Sequence, residues 1–206
     1  MLRLWGRMSS INVRKVAWTL RELNLDHERI DAGGPFGVVD TSQYRQRNPN
    51  GLVPLLEEGD FALWESNVIV RYLCAKHAPG TLYPEPLQAR AEAERWMDWQ
   101  QTTFNPAGRD AFIQLVRTPP EKRDAQLLER SIAVTEPLFA RLDRHLAERA
   151  YMSGERFTMA DIPLGCEAHR WFNLPRIHAH WPHVERWYAS LRARPATDTV
   201  LDQPLQ

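Results

Sequence analysis

The sequence predicts an α/β unit followed by an all-helical one, and three observations predict it. Short apolar runs alternate with amphipathic helical stretches only over residues 1–78. The segment "HAPGTLYPEPLQ" (77–88), with three prolines and a glycine, then breaks the periodicity. Beyond it every apolar pattern has helical spacing. The expected division is therefore 1–78, a linker at 79–88, and a helical part over 89–206.

The elements follow in order. "LRLW" (2–5) reads as a strand, and "INVRKVAWTLREL" places Val13, Val16, Ala17, Leu20 and Leu23 at helical intervals. "DHERI" (26–30) reads as a second strand, closed by a loop carrying Gly33, Gly34, Pro35 and Gly37. A short polar helix near 41–47, the turn "NPNG" (48–51), the strand "LVPLLEE" (52–58), a Gly59-Asp60 hairpin turn, the strand "FALW" (61–64) and a helix from Glu65 complete the unit. The order βαβ, α, ββα gives a mixed four-stranded sheet with helices on both faces.

In the helical part, "QARAEAERWMDWQQTTF" (88–104) is one long amphipathic helix. "DAQLLERSIAVTEPLFARLDRHLAERA" (124–150) is another, with Pro137 as an interior break or kink. "FTMADIPLGCEAHRW" opens with Thr158 and Asp161 in capping-box positions, Asp replacing the usual Glu or Gln. "WPHVERWYASLRARP" sets Trp181, Val184, Trp187 and Leu191 on one face.

Composition bounds the function. With 26 basic and 26 acidic residues in 206, the formal net charge is zero, which gives no electrostatic footprint for nucleic acid or an anionic membrane. No signal-peptide pattern and no run of about 18 apolar residues occurs, so a cytoplasmic protein acting on small molecules is expected. Cys74 and Cys166 lack any ligand-like spacing; they read as buried core thiols, and no metal site is expected.

Three polar clusters fall where ligands bind in open α/β sheets, beyond strand ends at helix starts. "MSSIN" (8–12) offers Ser9, Ser10 and Asn12, each also a plausible cap for the first helix. Val53-Pro54 interrupts a strand pattern; a cis bond there would turn the Val53 N–H and C=O outward for strand-like pairing with a peptide ligand, while an ordinary trans proline is the commoner alternative. Glu65-Ser66 opens a helix, where the serine and free N–H groups would take a carboxylate and the glutamate an ammonium group. Either residue alone could be a simple cap.

Together, "SSINVRKV", "NPNGLVPLL", "WESNVIVRYL" and "FTMADI" resemble the cytosolic glutathione transferases across nearly the whole chain, in the serine-type spelling of the phi, theta and nu classes. The resemblance implies a thioredoxin-like N-terminal domain, an all-helical C-terminal domain and a homodimer. It implies that glutathione is the co-substrate, with its γ-glutamyl group on Glu65 and Ser66 and its cysteinyl backbone on Val53 before a cis Pro54. Leu52 belongs to the same site, although its apolar side chain loses a contact that relatives make with a polar one. Ser10, in "SxN", is the implied thiol donor; Asn12 is a second donor and Ser9 the runner-up. No basic pair or His-Lys matches the family's glycyl-carboxylate site, since Gln43, Arg45 and Arg47 stand in a different register. The second substrate, expected to be a small apolar electrophile, would lie against Met8, Phe104, Arg109, Phe112 and Trp171. Glutathione-dependent disulfide or hydroperoxide reduction and a noncatalytic interaction role are the alternatives.

Overall fold

The computed structural model describes residues 1–206. Strands β1 (Leu2–Trp5), β2 (His27–Ile30), β3 (Leu55–Glu58) and β4 (Phe61–Trp64) form one sheet in the order β2-β1-β3-β4. β1 pairs parallel with β2, while β1–β3 and β3–β4 are antiparallel. This is the expected mixed sheet of a thioredoxin-like domain. Pleating sends Leu2 and Leu4 of β1 to the buried face, against helix α1 (Ile11–Glu22) and helix α3 (Ser66–His77). Trp5 points the other way, edge-on to Tyr44 of α2 (Ser42–Arg47) with 6.1 Å between ring centroids.

The expected strand over 52–58 is shorter than its pattern. Pairing begins only at Leu55, because the Val53-Pro54 peptide is cis and proline has no N–H for a ladder. Residues 48–54 instead form a clamped turn: Tyr44 Oη and Asn48 Nδ2 both donate to the Leu52 carbonyl at 2.7 Å.

From Leu87 the chain is helical. Helix α4 (Leu87–Trp99) does not stop at Phe104, as the pattern suggested; it passes through a π-turn (Gln100–Phe104) into α5 (Asn105–Phe112) and a second π-turn (Ile113–Arg117). The widened turn comes just ahead of Pro106, whose ring cannot fit behind a regular α-helical carbonyl. Helix α6 (Ala125–Leu146) continues through Pro137, so no break occurs there. Helices α7 (Asp161–Phe172) and α8 (Pro182–Arg192) complete the bundle. No helix is long and apolar enough to cross a membrane.

Half of the expected capping box is present, with wider reach: the Asp161 N–H goes to the Thr158 carbonyl rather than to its hydroxyl. Asp161 accepts from the Thr158 N–H at 2.9 Å, from the Met152 N–H at 2.9 Å and from Trp187 Nε1 at 2.8 Å, tying α7 to a preceding loop and to α8. Gly165 lets α7 lie against α1 and α8: a Cβ there would stand 2.7 Å from Leu191 and 2.9 Å from Trp18. One continuous core thus runs from the sheet through α1 into the helical half.

Candidate active site

Two clefts flank the start of α1. One runs along the clamped turn and is lined by Gly33, Gly34, Leu52 and Val53; the other opens towards the helical half, between α1, α5 and α7. Arg7, Ser10, Asn12 and Arg109 line both, so they mark the junction. Ser9 lines the second cleft alone.

The three polar residues of "SSIN" differ in what occupies them. Ser9 Oγ accepts from Arg7 Nε at 3.1 Å. Ser10 stands at the N-cap position of α1, yet its side chain makes no capping bond. Asn12 Oδ1 is buried without any partner. Buried polar atoms are rarely left unpaired, and those that are call for a ligand or another explanation. The junction therefore offers one free hydroxyl and one unpaired carboxamide oxygen.

The cis Val53-Pro54 bond leaves the Val53 N–H and C=O outside the sheet ladder and outside every other backbone hydrogen bond. Leu52 contributes an exposed side chain to the first cleft, while its carbonyl is held by Tyr44 and Asn48.

Glu65 and Ser66 lie next to this edge. The register sets Leu55 against Trp64 as the last pair of the ladder, so Pro54 and Glu65 are the residues at which the two chains leave it. Glu65 is no cap: its side chain is exposed and makes no capping bond, and its backbone has φ 71° and ψ 106°. Positive φ at a non-glycine residue costs on the order of 1–3 kcal/mol and persists where surrounding structure holds it, commonly at functional sites. Ser66 is buried and accepts from Lys15 Nζ at 3.4 Å.

Lys15 was not singled out in the sequence, where it reads as one more polar residue of α1. It is fully buried and also donates to Gln100 at 2.8 Å and Gln101 at 3.1 Å, both in the first π-turn. Burial pulls its pKa down to about 8, opposed chiefly by Glu167. Gln100 in turn donates to Glu167 at 2.7 Å, and Glu167 pairs with Arg170, which reaches Asn105. A buried polar chain thus connects the start of α3 to the wall of the second cleft.

Ser10 and the unpaired Val53 that precedes the cis proline line the same cleft, while the Glu65-Ser66 helix start follows β4 and lines neither cleft. Family models for the glutathione S-transferase N-terminal and C-terminal domains match residues 4–81 and 104–195. The chain is 44% identical to the glutathione S-transferase GstB of Escherichia coli over the full length of both. The chain belongs to the glutathione transferase family. Glutathione S-transferase 3 of Zea mays is 32% identical, over 99% of this chain and 95% of that one. The crystal structure of a theta-class glutathione S-transferase from Xanthomonas axonopodis pv. citri, solved with glutathione bound, superposes with a TM-score of 0.96 at 45% identity, covering 100% of this chain and 99% of that one.

The two arginines of α2 both have carboxylate partners within the protein. Arg45 bonds Asp40 at 2.7 Å, and Arg47 pairs with the buried Glu57 at 2.5 Å. The cations of the first cleft are Arg7 and Arg109.

Several expectations for the second-substrate side need correction. Phe104 is fully buried, stacked on Trp99 and edge-on to Phe139, because the helix turns it into the core. Trp171 is likewise buried against Phe139. Met8 lies outside the cleft lining; its carbonyl accepts from Arg14 Nε at 2.7 Å. Arg109 and Phe112 do line the cleft. That cleft mixes apolar surface with charge: of 15 lining residues five are hydrophobic and five are arginines. Cys166 borders it but is nearly inaccessible, and burial pushes its thiol up to about 12; Cys74 is shifted the same way. Both are core thiols. The imidazole of His169 is pulled down to about 4 by burial and by Arg14, so it is neutral at pH 7, with Nε2 donating to the Gln203 carbonyl.

Proposed function

We propose that this transferase holds glutathione along the first cleft and delivers its thiolate to an electrophile in the second, with Ser10 as the thiolate donor. The observation that carries this reading is the position of Ser10: it lines both clefts, and its hydroxyl makes no capping bond. Asn12 is a second donor at the same junction. Ser9 lines one cleft only and already accepts from Arg7.

Glutathione would pair its cysteinyl backbone with the free Val53 N–H and C=O, next to Leu52 and Pro54. Its γ-glutamyl carboxylate would rest on Ser66 and the first turn of α3, and its ammonium on Glu65. Lys15, behind Ser66, adds positive charge to the carboxylate end. Arg7 and Arg109 are the cations of that cleft available to the glycyl carboxylate.

A free thiol has a pKa of about 8.5, so most of it is protonated at pH 7, and each unit of lowering needs about 1.4 kcal/mol of preference for the anion. A hydrogen bond to a charged group is worth about 1.5–3 kcal/mol, enough for a shift of one to two units. The thiolate then attacks carbon; a C–S bond forms, the leaving group departs with its electron pair, and the thiol proton passes to solvent. Ser10 donates throughout and need not ionise.

A homodimer is part of the proposal. The outer edge of β4 is unpaired, and Phe61, Trp64 and Val68 stand exposed along it and the adjacent α3. Sedimentation at micromolar concentration should show a dimer. The two buried, unpaired thiols suit a reducing cytoplasm. The whole reading is tested by calorimetric titration with glutathione followed by an assay of thioether formation. Tight binding with conjugation is the expected result; binding without any conjugation would overturn the catalytic assignment.

A further inference from the structure

The second cleft carries more positive charge than a thiolate needs. Arg7, Arg14, Arg109, Arg117 and Arg170 line it, and no aspartate or glutamate does. Only Arg170 has a carboxylate partner, Glu167. In a chain whose formal net charge is zero, this is a local concentration of cations, four of them without a direct salt bridge, with Asp202 near enough to favour the charge on Arg14.

Glutathione accounts for part of it. Arg7 and Arg109 reach both clefts, so the thiolate and the glycyl carboxylate can satisfy them. Arg14 and Arg117 line the second cleft alone. Arg14 is only 3% exposed, and its guanidinium is held by three carbonyls, those of Met8 at 2.7 Å, Gln203 at 3.1 Å and Pro204 at 2.8 Å. Its direct partners are neutral and it forms no salt bridge, so its charge, which Asp202 favours from nearby, is not cancelled by a paired carboxylate. Arg117 lies over the Phe112 ring, 4.7 Å from its centroid, with Nε and one terminal nitrogen donating to the Gln206 carbonyl at 3.2 and 3.1 Å. Its remaining terminal nitrogen has no partner. The neighbouring Arg7, Arg170 and Arg109 add to burial in disfavouring its charge, so an anion placed among them relieves repulsion.

We infer that the electrophile itself carries a carboxylate, held by Arg117 with Arg14 behind it, while Phe112, Ile113 and Leu205 cover its carbon skeleton. This rests on the transferase reading of the preceding section and narrows its substrate class. A guanidinium fork suits a carboxylate, whose two oxygens accept in parallel.

The test uses matched twins, 4-chloro-3,5-dinitrobenzoate and its carboxamide. In both, the glutathione sulfur bonds to the ring carbon, the C–Cl bond breaks and chloride leaves. Rates are normalised to the uncatalysed reaction with glutathione at low ionic strength. The acid should be favoured about tenfold or more in kcat/KM, and Arg117→Gln should lower the acid-to-amide ratio about tenfold, as loss of one charge-assisted contact does. An equal or reversed preference, or a ratio untouched by Arg117→Gln, overturns the inference while leaving the transferase reading intact. Binding of the chlorine-free acid and amide to the glutathione-loaded enzyme supplies a second readout independent of turnover. Tighter binding of the acid supports the inference, and equal binding overturns it. Failure to bind glutathione at all would instead overturn the preceding reading.

Discussion

The two clefts that meet at Ser10 are built by different means. The glutathione side is shaped by backbone: a cis peptide, a strand edge left unpaired, a helix start entered through a positive-φ glutamate. The electrophile side is shaped by side chains drawn from distant places: Arg7 before α1, Arg14 within it, Arg109 and Arg117 along one interrupted helix, Arg170 on α7. Backbone devices require particular residues at adjacent positions and therefore write motifs. A charged wall assembled from long side chains leaves no local pattern, because each arginine also reads as an ordinary solvated residue.

The difference can be broken or sharpened by substitution, beginning where the effect is largest. At the junction, Ser10→Ala should lower kcat/KM near pH 6.5 by about 10- to 100-fold, the rate equivalent of one charge-assisted hydrogen bond, while changing glutathione affinity little. On the backbone-built side, Ser66→Ala should weaken glutathione binding about tenfold in calorimetry. Glu65→Gln, which keeps the side chain's size, should weaken it several-fold. Unchanged affinity in both would remove the γ-glutamyl assignment.

The buried lysine that links the two sides gives a smaller, pH-dependent effect. Its folded pKa of about 8 lies below the unfolded value of 10.5. Between those values the unfolded chain binds more protons, so Lys15 makes the fold more stable as pH rises from about 8 towards 10.5. In Lys15→Met that contribution vanishes. Urea midpoints of the two proteins should therefore diverge in this window in favour of the wild type; a constant difference would mean that the lysine is not desolvated. The smallest effect is expected at Ser9→Ala, which removes an acceptor of Arg7 and should leave turnover within about twofold.

Much of this was legible beforehand. The strand and helix order, the Glu65-Ser66 helix start and the Thr158–Asp161 positions follow from local chemistry, whereas the cis bond at Val53-Pro54 was implied by the family resemblance, local chemistry leaving the commoner trans form open. Misreadings arose where tertiary context decides. β3 lost its first residues to the proline; the helix after Trp99 continued past Asn105-Pro106 by widening into a π-turn. Phe104 proved to be core because the π-turn that sets its phase is not written in apolar spacing, and Trp171 because the packing of α7 against Phe139 of α6 buries it. Lys15 was missed for the opposite reason: a lysine on a helix reads as solvated, and only the packing of α1 against the first π-turn buries it.

The account stands or falls on which hydroxyl holds the thiolate. The most direct measurement is a spectroscopic pH titration of the glutathione thiol bound to the wild type, Ser10→Ala and Ser9→Ala. A bound-thiol pKa well below the free value of about 8.5, raised by one to two units in Ser10→Ala and unmoved in Ser9→Ala, is the predicted result. A pKa that shifts in Ser9→Ala and not in Ser10→Ala would contradict it.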